Sequence, residues 1–417
     1  MDGPHYTRVR RTSLLWDNGR VKILVVTPHY YPEGFSITPI CESWAKQGHD
    51  VFVVTNRPNY GYGRILKEYR HVQDETINGV RVHRCFLFAR KKSRLSIIAN
   101  YLSFYASSSL YLSSLKEDFD VVYSFSLSPI IAVSGANKYK KRHHVPHYLH
   151  CLDLWPESVL ATRAMKKRSL GYRLLYHWSK SIYSKADAIM VSSPSFETYF
   201  REELKLKDVP IAYVPQPAFL SPQEGKDIIY CTPNNFLYAG NIGSLQLVEN
   251  LVLGFSLLFE GEATLHIIGM GSRKEAVESL IKEKRLEGRV IYHGPLPRKQ
   301  TSRYYGNCAG IIVSLKDEGY AGKTIPNKLI SSLYFGKPIF ALIGGDGRKL
   351  LEKTGGAFFG EGNTPEEIAQ GIRAFLALSE ERKKEMGRKN LSYFRAHFEF
   401  QKTVDEITSI LSSGRKK

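Results

Sequence analysis

The tightest constraint on this chain is a rhythm. Short β-branched runs alternate with helix-length segments, and the pattern occurs twice. The first series reads 21–27 (VKILVVT), 50–55 (DVFVVT), 120–125 (DVVYSF), 146–150 (VPHYL), 187–192 (DAIMVS) and 211–214 (IAYV). Strands that are apolar throughout, with helices between them, build a parallel sheet covered on both faces. Residues 38–48 have the pattern of the first such helix. Around 215–235 the composition changes: Pro215, Pro217, Pro222 and Pro233 fall together with Gly225, which marks a linker. A second series follows at 236–239, 265–269, 289–292, 310–314, 338–341 and 357–359. The expectation is an α/β protein with two Rossmann-like doubly wound domains facing a cleft. The boundaries are 1–20 for an N-terminal extension, 21–215 and 216–395 for the domains, and 396–417 for a C-terminal helix able to cross back to the first domain. A length of 417 residues agrees, because single cores stop growing near about 250–300 residues.

A hydrophobic fraction of 43% and a charged fraction of 24% are those of a folded globular protein. The net charge of +19 asks for an anionic partner: nucleic acid, a phosphorylated ligand or an acidic membrane. Basic runs at 90–94, 138–144 and 166–168 suit a membrane surface or a solvated face. With no zinc site or RNA-recognition signature beside them, nucleic acid is not expected. Cysteines at 41, 85, 151, 231 and 308 show no metal-ligand spacing, which fits a reducing cytoplasm and no metal. Residues 14–16 are too short an apolar cluster for a signal-peptide core, so 1–20 reads as an extension or a membrane-touching tail. The segment 95–115 is interrupted by Asn100 and several serines, and no transmembrane helix is expected.

Ligands of open α/β sheets bind at the carboxyl ends of strands. The first strand runs into Thr27–Gly34, where Gly34 allows close backbone approach. The strand at 146–150 delivers His150, Asp153 and Glu157 to such an end. In the second domain Gly240, Asn241 and Gly243 join a strand to a helix, offering backbone N–H groups to a phosphate. Gly269 and Gly271 begin a dinucleotide fingerprint whose third glycine is replaced by Lys274, which argues against a dehydrogenase. In 318–329 a carboxylate, glycines and Lys323 and Lys328 converge ahead of a helix at 330–335, a diphosphate cradle with Pro326 in the first helical turn and Gly336 at the helix end.

Taken in order, these segments resemble the retaining glycosyltransferases of family 4, of the type that builds bacterial capsule, O-antigen and exopolysaccharide. The motifs are Thr27–Gly34, Asp153-Leu-Trp-Pro-Glu-Ser158, Tyr238-Ala-Gly-Asn-Ile-Gly243, Ile268-Gly-Met-Gly271, His293-Gly294 with Leu296-Pro297, Ile325-Pro-Asn-Lys328 and Gly336-Lys-Pro338. The resemblance implies a GT-B fold, a nucleotide-diphosphate sugar donor on the C-terminal domain and a polyprenyl-linked or glycan acceptor on the N-terminal one. It implies transfer with retention in surface polysaccharide synthesis, no cofactor or metal, and a cytoplasmic protein peripheral on the inner membrane face. It places Gly34, Gly240, Asn241, Gly243, Lys323, Asn327 and Lys328 at the donor, with Asp153 or His150 near the reacting sugar.

One position departs from the pattern. Many relatives carry two glutamates across the donor loop, and alignment on Pro326-Asn-Lys and Gly336 puts Lys323 and Ser331 at those places. Glu318 is the carboxylate nearby and is taken as the substitute; different donor recognition and an inactive protein are the alternatives. Two other functions share the architecture: a nucleotide-sugar 2-epimerase, which needs more carboxylates and histidines than these segments hold, and a non-catalytic nucleotide-sugar-binding subunit.

Overall fold

The computed structural model describes residues 19–91, 93–161, 164–218 and 234–413. The N-terminal extension, apart from Gly19 and Arg20, and most of the 215–235 linker lie outside them.

The first unit holds the described residues up to Pro217 together with the C-terminal helix Phe400–Ser413. Its strands are β1 (Lys22–Val26), β2 (Asp50–Asn56), β3 (Asp74–Ile77), β4 (Val80–Cys85), β5 (Val121–Ser126), β6 (His147–Cys151), β7 (Ala188–Val191) and β8 (Ile211–Tyr213). They form one sheet in the order β3-β4-β2-β1-β5-β6-β7-β8, in which only β3 runs antiparallel to its neighbour. β1, β2 and β5 are buried along almost their whole length, as continuous apolar runs require. The helix Ile37–Lys46 packs beneath them through Ile37, Ile40, Cys41 and Trp44, the spacing of one helical face.

β3 and β4 are absent from the sequence reading. Val80 and Val82 alternate with Arg81 and His83, so this edge hairpin lacks the unbroken apolar run of the other strands. Its signal is the Asn78-Gly79 pair, which turns with φ of 49° and 84° and matches a two-residue hairpin loop. Residues 95–114 lie in the helix Arg94–Ser114, with Asn100, Phe104, Ser108, Ser109 and Leu112 inward. Among the described residues no helix is long and apolar enough to cross a membrane.

The second unit spans Ala218–Glu399. Its strands β9 (Asn235–Ala239), β10 (Thr264–Ile268), β11 (Val290–Gly294), β12 (Gly310–Leu315), β13 (Ile339–Ile343) and β14 (Ala357–Phe359) pair in the order β11-β10-β9-β12-β13-β14. All these pairs are parallel. The tail holds two helices, Glu380–His397 and Phe400–Ser413, which belong to different units.

Both sheets reverse their winding direction once, between β1 and β5 and between β9 and β12. At such a switch point neighbouring loops leave in opposite directions and open a crevice at the strand ends. In the second unit β9 and β12 pair only at Gly310–Phe236 and Ile311–Leu237, so their carboxyl-terminal halves part.

Candidate functional site

The second unit's crevice holds Lys328. The helix Asn327–Tyr334 follows β12 with Pro326 extended at its cap; it starts three residues earlier than predicted, so Pro326 precedes the helix. Gly336 ends it at φ 60°. Lys328 Nζ donates to the Ser314 carbonyl of β12 at 2.7 Å and to the Tyr238 hydroxyl of β9 at 3.2 Å. The ammonium lies 4.4 Å from the centre of the Tyr238 ring. No carboxylate pairs with it among the described residues, and burial lowers its pKa from 10.5 to about 7. A cation held between two diverging strands, without a counter-ion, is built for an anionic ligand.

The glycine loops form the wall beside it. A Cβ on Gly240 would sit 3.2 Å from Lys328 Cδ, so the glycine leaves the lysine its path. Tyr238 donates its hydroxyl to the Asn241 carbonyl at 2.6 Å, and Asn241 Nδ2 donates to Gln246 Oε1 at 3.2 Å. Gly243 is crowded by Gln246 and Asn241, at 2.6 and 2.9 Å from a built Cβ. Gly269 and Gly271 have a structural explanation. A Cβ on the first would stand 1.8 Å from the Gly240 carbonyl oxygen, and one on the second 2.1 Å from that of Ile242. Ile242 N–H also donates to the Met270 carbonyl at 2.9 Å. The fingerprint glycines therefore let two loops dock backbone to backbone.

The rest of the predicted donor set lies further out. Asn327 is exposed at the helix start, and Glu318 is exposed at the cap of the short helix Gly319–Gly322. Lys323 is exposed with its ammonium 5.8 Å from the Tyr320 ring centre.

In the first unit, β1 and β5 deliver the loops 27–34 and 126–129 to the other crevice. Glu33 is the anchor. Its carboxylate takes the His29 ring nitrogen at 2.6 Å and the backbone N–H groups of Asn59 and Tyr60 at 2.7 Å each. Gly34 is exposed, and a Cβ there would meet nothing within 4 Å; the protein's own packing does not require the glycine. A small cavity of about 10 Å³ lies at the ends of β1, β2 and β5, lined by His29, Tyr60, Arg90, Tyr101, Phe104 and Ser128.

Asp153 follows β6. The Ser128 hydroxyl donates to its carboxylate and lies 2.8 Å from Ser158 Oγ. Burial raises the Asp153 pKa, with the Ser128 hydrogen bond opposing. Glu157 is buried and accepts the Tyr172 hydroxyl at 2.5 Å, a structural link.

His150 corrects the sequence reading. Its ring is completely buried. Nδ1 faces the Tyr123 hydroxyl at 2.8 Å and Nε2 the Val214 carbonyl at 3.1 Å, so both nitrogens are used. Burial lowers its pKa to about 4. A neutral, fully bonded core imidazole does not reach a reacting sugar. Sequence reasoning also missed Tyr238, the support of Lys328, and Arg90, which it counted only as part of a basic run.

Two domain families match the chain: the Glycosyl transferase 4-like domain over 34–217 and Glycosyl transferases group 1 over 223–390. The chain belongs to the GT-B glycosyltransferases. It is similar to the probable glycosyltransferase WbjE of Pseudomonas aeruginosa, at 27% identity over 230 residues. That match takes in 53% of this chain and 57% of the length of WbjE. Among solved GT-B structures it resembles sucrose-phosphate synthase from Thermosynechococcus elongatus, at TM-score 0.73 and 14% identity over 94% of this chain and 98% of that one. It also resembles Anabaena HepE, solved in complex with UDP-glucose, at TM-score 0.66 and 12% identity over 94% of this chain and 100% of that one.

Proposed function

We propose that this glycosyltransferase moves a hexosyl group from a nucleoside-diphosphate sugar to a polyprenyl-linked or glycan acceptor, with retention, in surface polysaccharide synthesis. The observation that carries the donor half is Lys328, a desolvated ammonium with no carboxylate partner among the described residues, at the switch point of the second unit. Donor diphosphate would meet that charge together with the first-turn N–H groups of Asn327–Tyr334. As the sugar–phosphate bond breaks, negative charge grows on the leaving diphosphate, and one fixed donor contributes about 3–4 kcal/mol to such a transition state. In this reading the lysine takes that role without a metal ion. Support for a uridine donor comes from HepE, solved with UDP-glucose. The first unit would hold the acceptor, with Asp153 beside its reacting hydroxyl.

The reading extends to attachment at the inner membrane face. Residues 76–116 and 158–186 contain no Asp or Glu. Within them Leu95, Ile98, Leu102 and Leu110 of the helix Arg94–Ser114 are exposed, as are Leu170 and Leu174 of the helix Leu170–Tyr183. The ring contact of Tyr105 with Trp178 at 5.3 Å joins the two helices. Apolar side chains among basic ones fit an anionic bilayer surface.

The test is incubation of the purified protein with a panel of labelled nucleoside-diphosphate sugars and bacterial membrane lipid. Transfer of label to lipid from one donor, with the anomeric configuration kept by NMR of the product, is the expected result. Release of free epimerised sugar nucleotide, or no transfer from any donor, would overturn the reading.

A further inference from the structure

One edge of the second unit's sheet carries a cluster of side chains that the donor chemistry leaves unused. β10 and β11 pair in parallel, with Ile267 opposite Tyr292 and Ile268 opposite Gly294. His293 is therefore the extra residue of a bulge, and Gly294 follows it at φ 70°. Bulges are uncommon in parallel pairs, and they re-aim the side chain they carry. This one sets His293 beside His266 of β10. His266 Nδ1 and His293 Nε2 lie 2.9 Å apart, with the rings within 3° of parallel. The Tyr304 hydroxyl, from the helix Arg298–Asn307, lies 3.4 Å from His293 Nδ1.

Two imidazoles this close can bond only while one nitrogen holds a proton and the other offers a lone pair. The surroundings keep the pair in that state. Burial lowers the pKa of both rings, that of His266 to about 4 with the charge of His293 as a second cause. The covering helix brings Arg298, Lys299, Arg303, Tyr304 and Tyr305 but no acid, so nothing on it favours an imidazolium. The neighbouring strands add only Tyr238 of β9 and Tyr292 of β11 as titratable groups. At pH 7 both rings are neutral, and the bond ties β10 to β11.

The tie sits where it can hold the donor loops. Tyr292, next to His293, donates its hydroxyl to the Gly269 carbonyl at 2.9 Å, and Gly269 N–H donates to the Gly294 carbonyl at 2.9 Å. Gly240 N–H donates in turn to the Ile268 carbonyl at 2.9 Å. The residues on either side of His293 thus grip Gly269, which packs on Gly240, the wall beside Lys328. Groups that line a binding site must be held within about 0.5 Å by the structure behind them. We propose that His293 is a positioning residue for the donor: bonded to His266, it fixes the bulge that sets the Gly240 wall against Lys328. This rests on the donor reading above.

The test compares His293→Leu, which keeps the bulk and loses the bond, with His293→Gln, whose amide can still donate to His266 and accept from Tyr304. UDP is titrated by calorimetry into the full-length proteins, and amide exchange is followed at Gly240, Ile242 and Gly269. The Leu variant is expected to bind UDP about tenfold more weakly, the size of one hydrogen bond, and to exchange faster at the three amides. The Gln variant should recover most of both. His266→Leu should match His293→Leu, and the double variant should lose no more than either alone, because each removes the same bond. A lower melting temperature with UDP affinity and loop exchange as in wild type would make the pair merely structural and overturn the proposal. Additive losses in the double variant would overturn it too, as would faster exchange with unchanged UDP affinity. A wild-type protein that binds none of UDP, GDP and ADP would strike the donor reading. Faster exchange in His293→Leu would then still uphold the pair as what sets the loop, and unchanged exchange would sink both.

Discussion

The indole Nε1 of Trp44 donates a hydrogen bond of 2.8 Å to Thr408 Oγ1, joining side chains 364 positions apart. Trp44 is completely buried, and Val404, Ile407, Ile410 and Leu411 of the last helix share its core. The end of the chain is therefore structural in the first unit. Ile407→Ala should cost about 2–5 kcal/mol through the cavity it leaves. Urea unfolding followed by tryptophan fluorescence measures this, and an unchanged midpoint would show the helix to be dispensable.

Lys328 gives a pH dependence with a defined sign. Its pKa in the free protein is about 7, and only the protonated form attracts a diphosphate. The donor kcat/KM should fall as pH rises through about 7, and Lys328→Arg should remove that limb because guanidinium stays charged. Lys328→Ala should lower turnover about 10²–10³-fold. Without donor the dependence reverses. Between pH about 7 and 10.5 the unfolded chain binds the extra proton, so stability rises with pH across that window. A pH–rate profile for Lys328→Arg that matches wild type would refute the assignment.

Asp153→Asn should abolish most activity, a fall of about 10²–10⁴-fold for a lost acid–base or orienting carboxylate. The melting temperature should stay level or rise, because burial already disfavours the charged form and asparagine can still accept from Ser128. A large drop in melting temperature would make Asp153 a packing residue.

Gly269→Ala should be far more damaging than Gly261→Ala. Gly261 has φ 79° with nothing within 4 Å of a built Cβ, so alanine there costs about 1–2 kcal/mol of backbone strain. At Gly269 the added Cβ would overlap the Gly240 carbonyl oxygen, which forces the two loops apart and moves the Lys328 wall. Loss of UDP binding in Gly269→Ala but not in Gly261→Ala, by calorimetry, is the expected pattern. Equal binding by both would separate the loop contact from the site.

The membrane reading predicts sedimentation with anionic vesicles at low salt and release at high salt, since lipid charge is screened within about 10 Å at 0.1 M. Lys91→Glu with Arg94→Glu should weaken it by about 1 kcal/mol per charge removed, and more on reversal. Leu95→Ser should weaken it without altering the salt dependence. A protein that stays in the supernatant at every salt concentration would refute attachment.

The sequence alone determined the two parallel sheets, because a strand buried on both faces must be apolar at successive positions and that pattern is local. It missed β3 and β4, where the alternation of Val80 and Val82 with Arg81 and His83 leaves no unbroken run. It also determined which loops follow the carboxyl ends of the strands, and through its motifs the glycosyltransferase family. The tertiary structure alone decided what single side chains do. His150 and Asp153 sit three residues apart, yet the imidazole is locked between Tyr123 and Val214 while the carboxylate meets Ser128. Lys323 and Lys328 share one loop motif, yet only Lys328 is drawn in against Tyr238 and Ser314. Arg90 looked like one charge in a basic run until Asn59, Tyr60 and Tyr101 gathered around it. Hydrophobic periodicity is read over neighbouring residues, whereas desolvation and hydrogen-bond partners are set by segments that the strand order brings together from far along the chain.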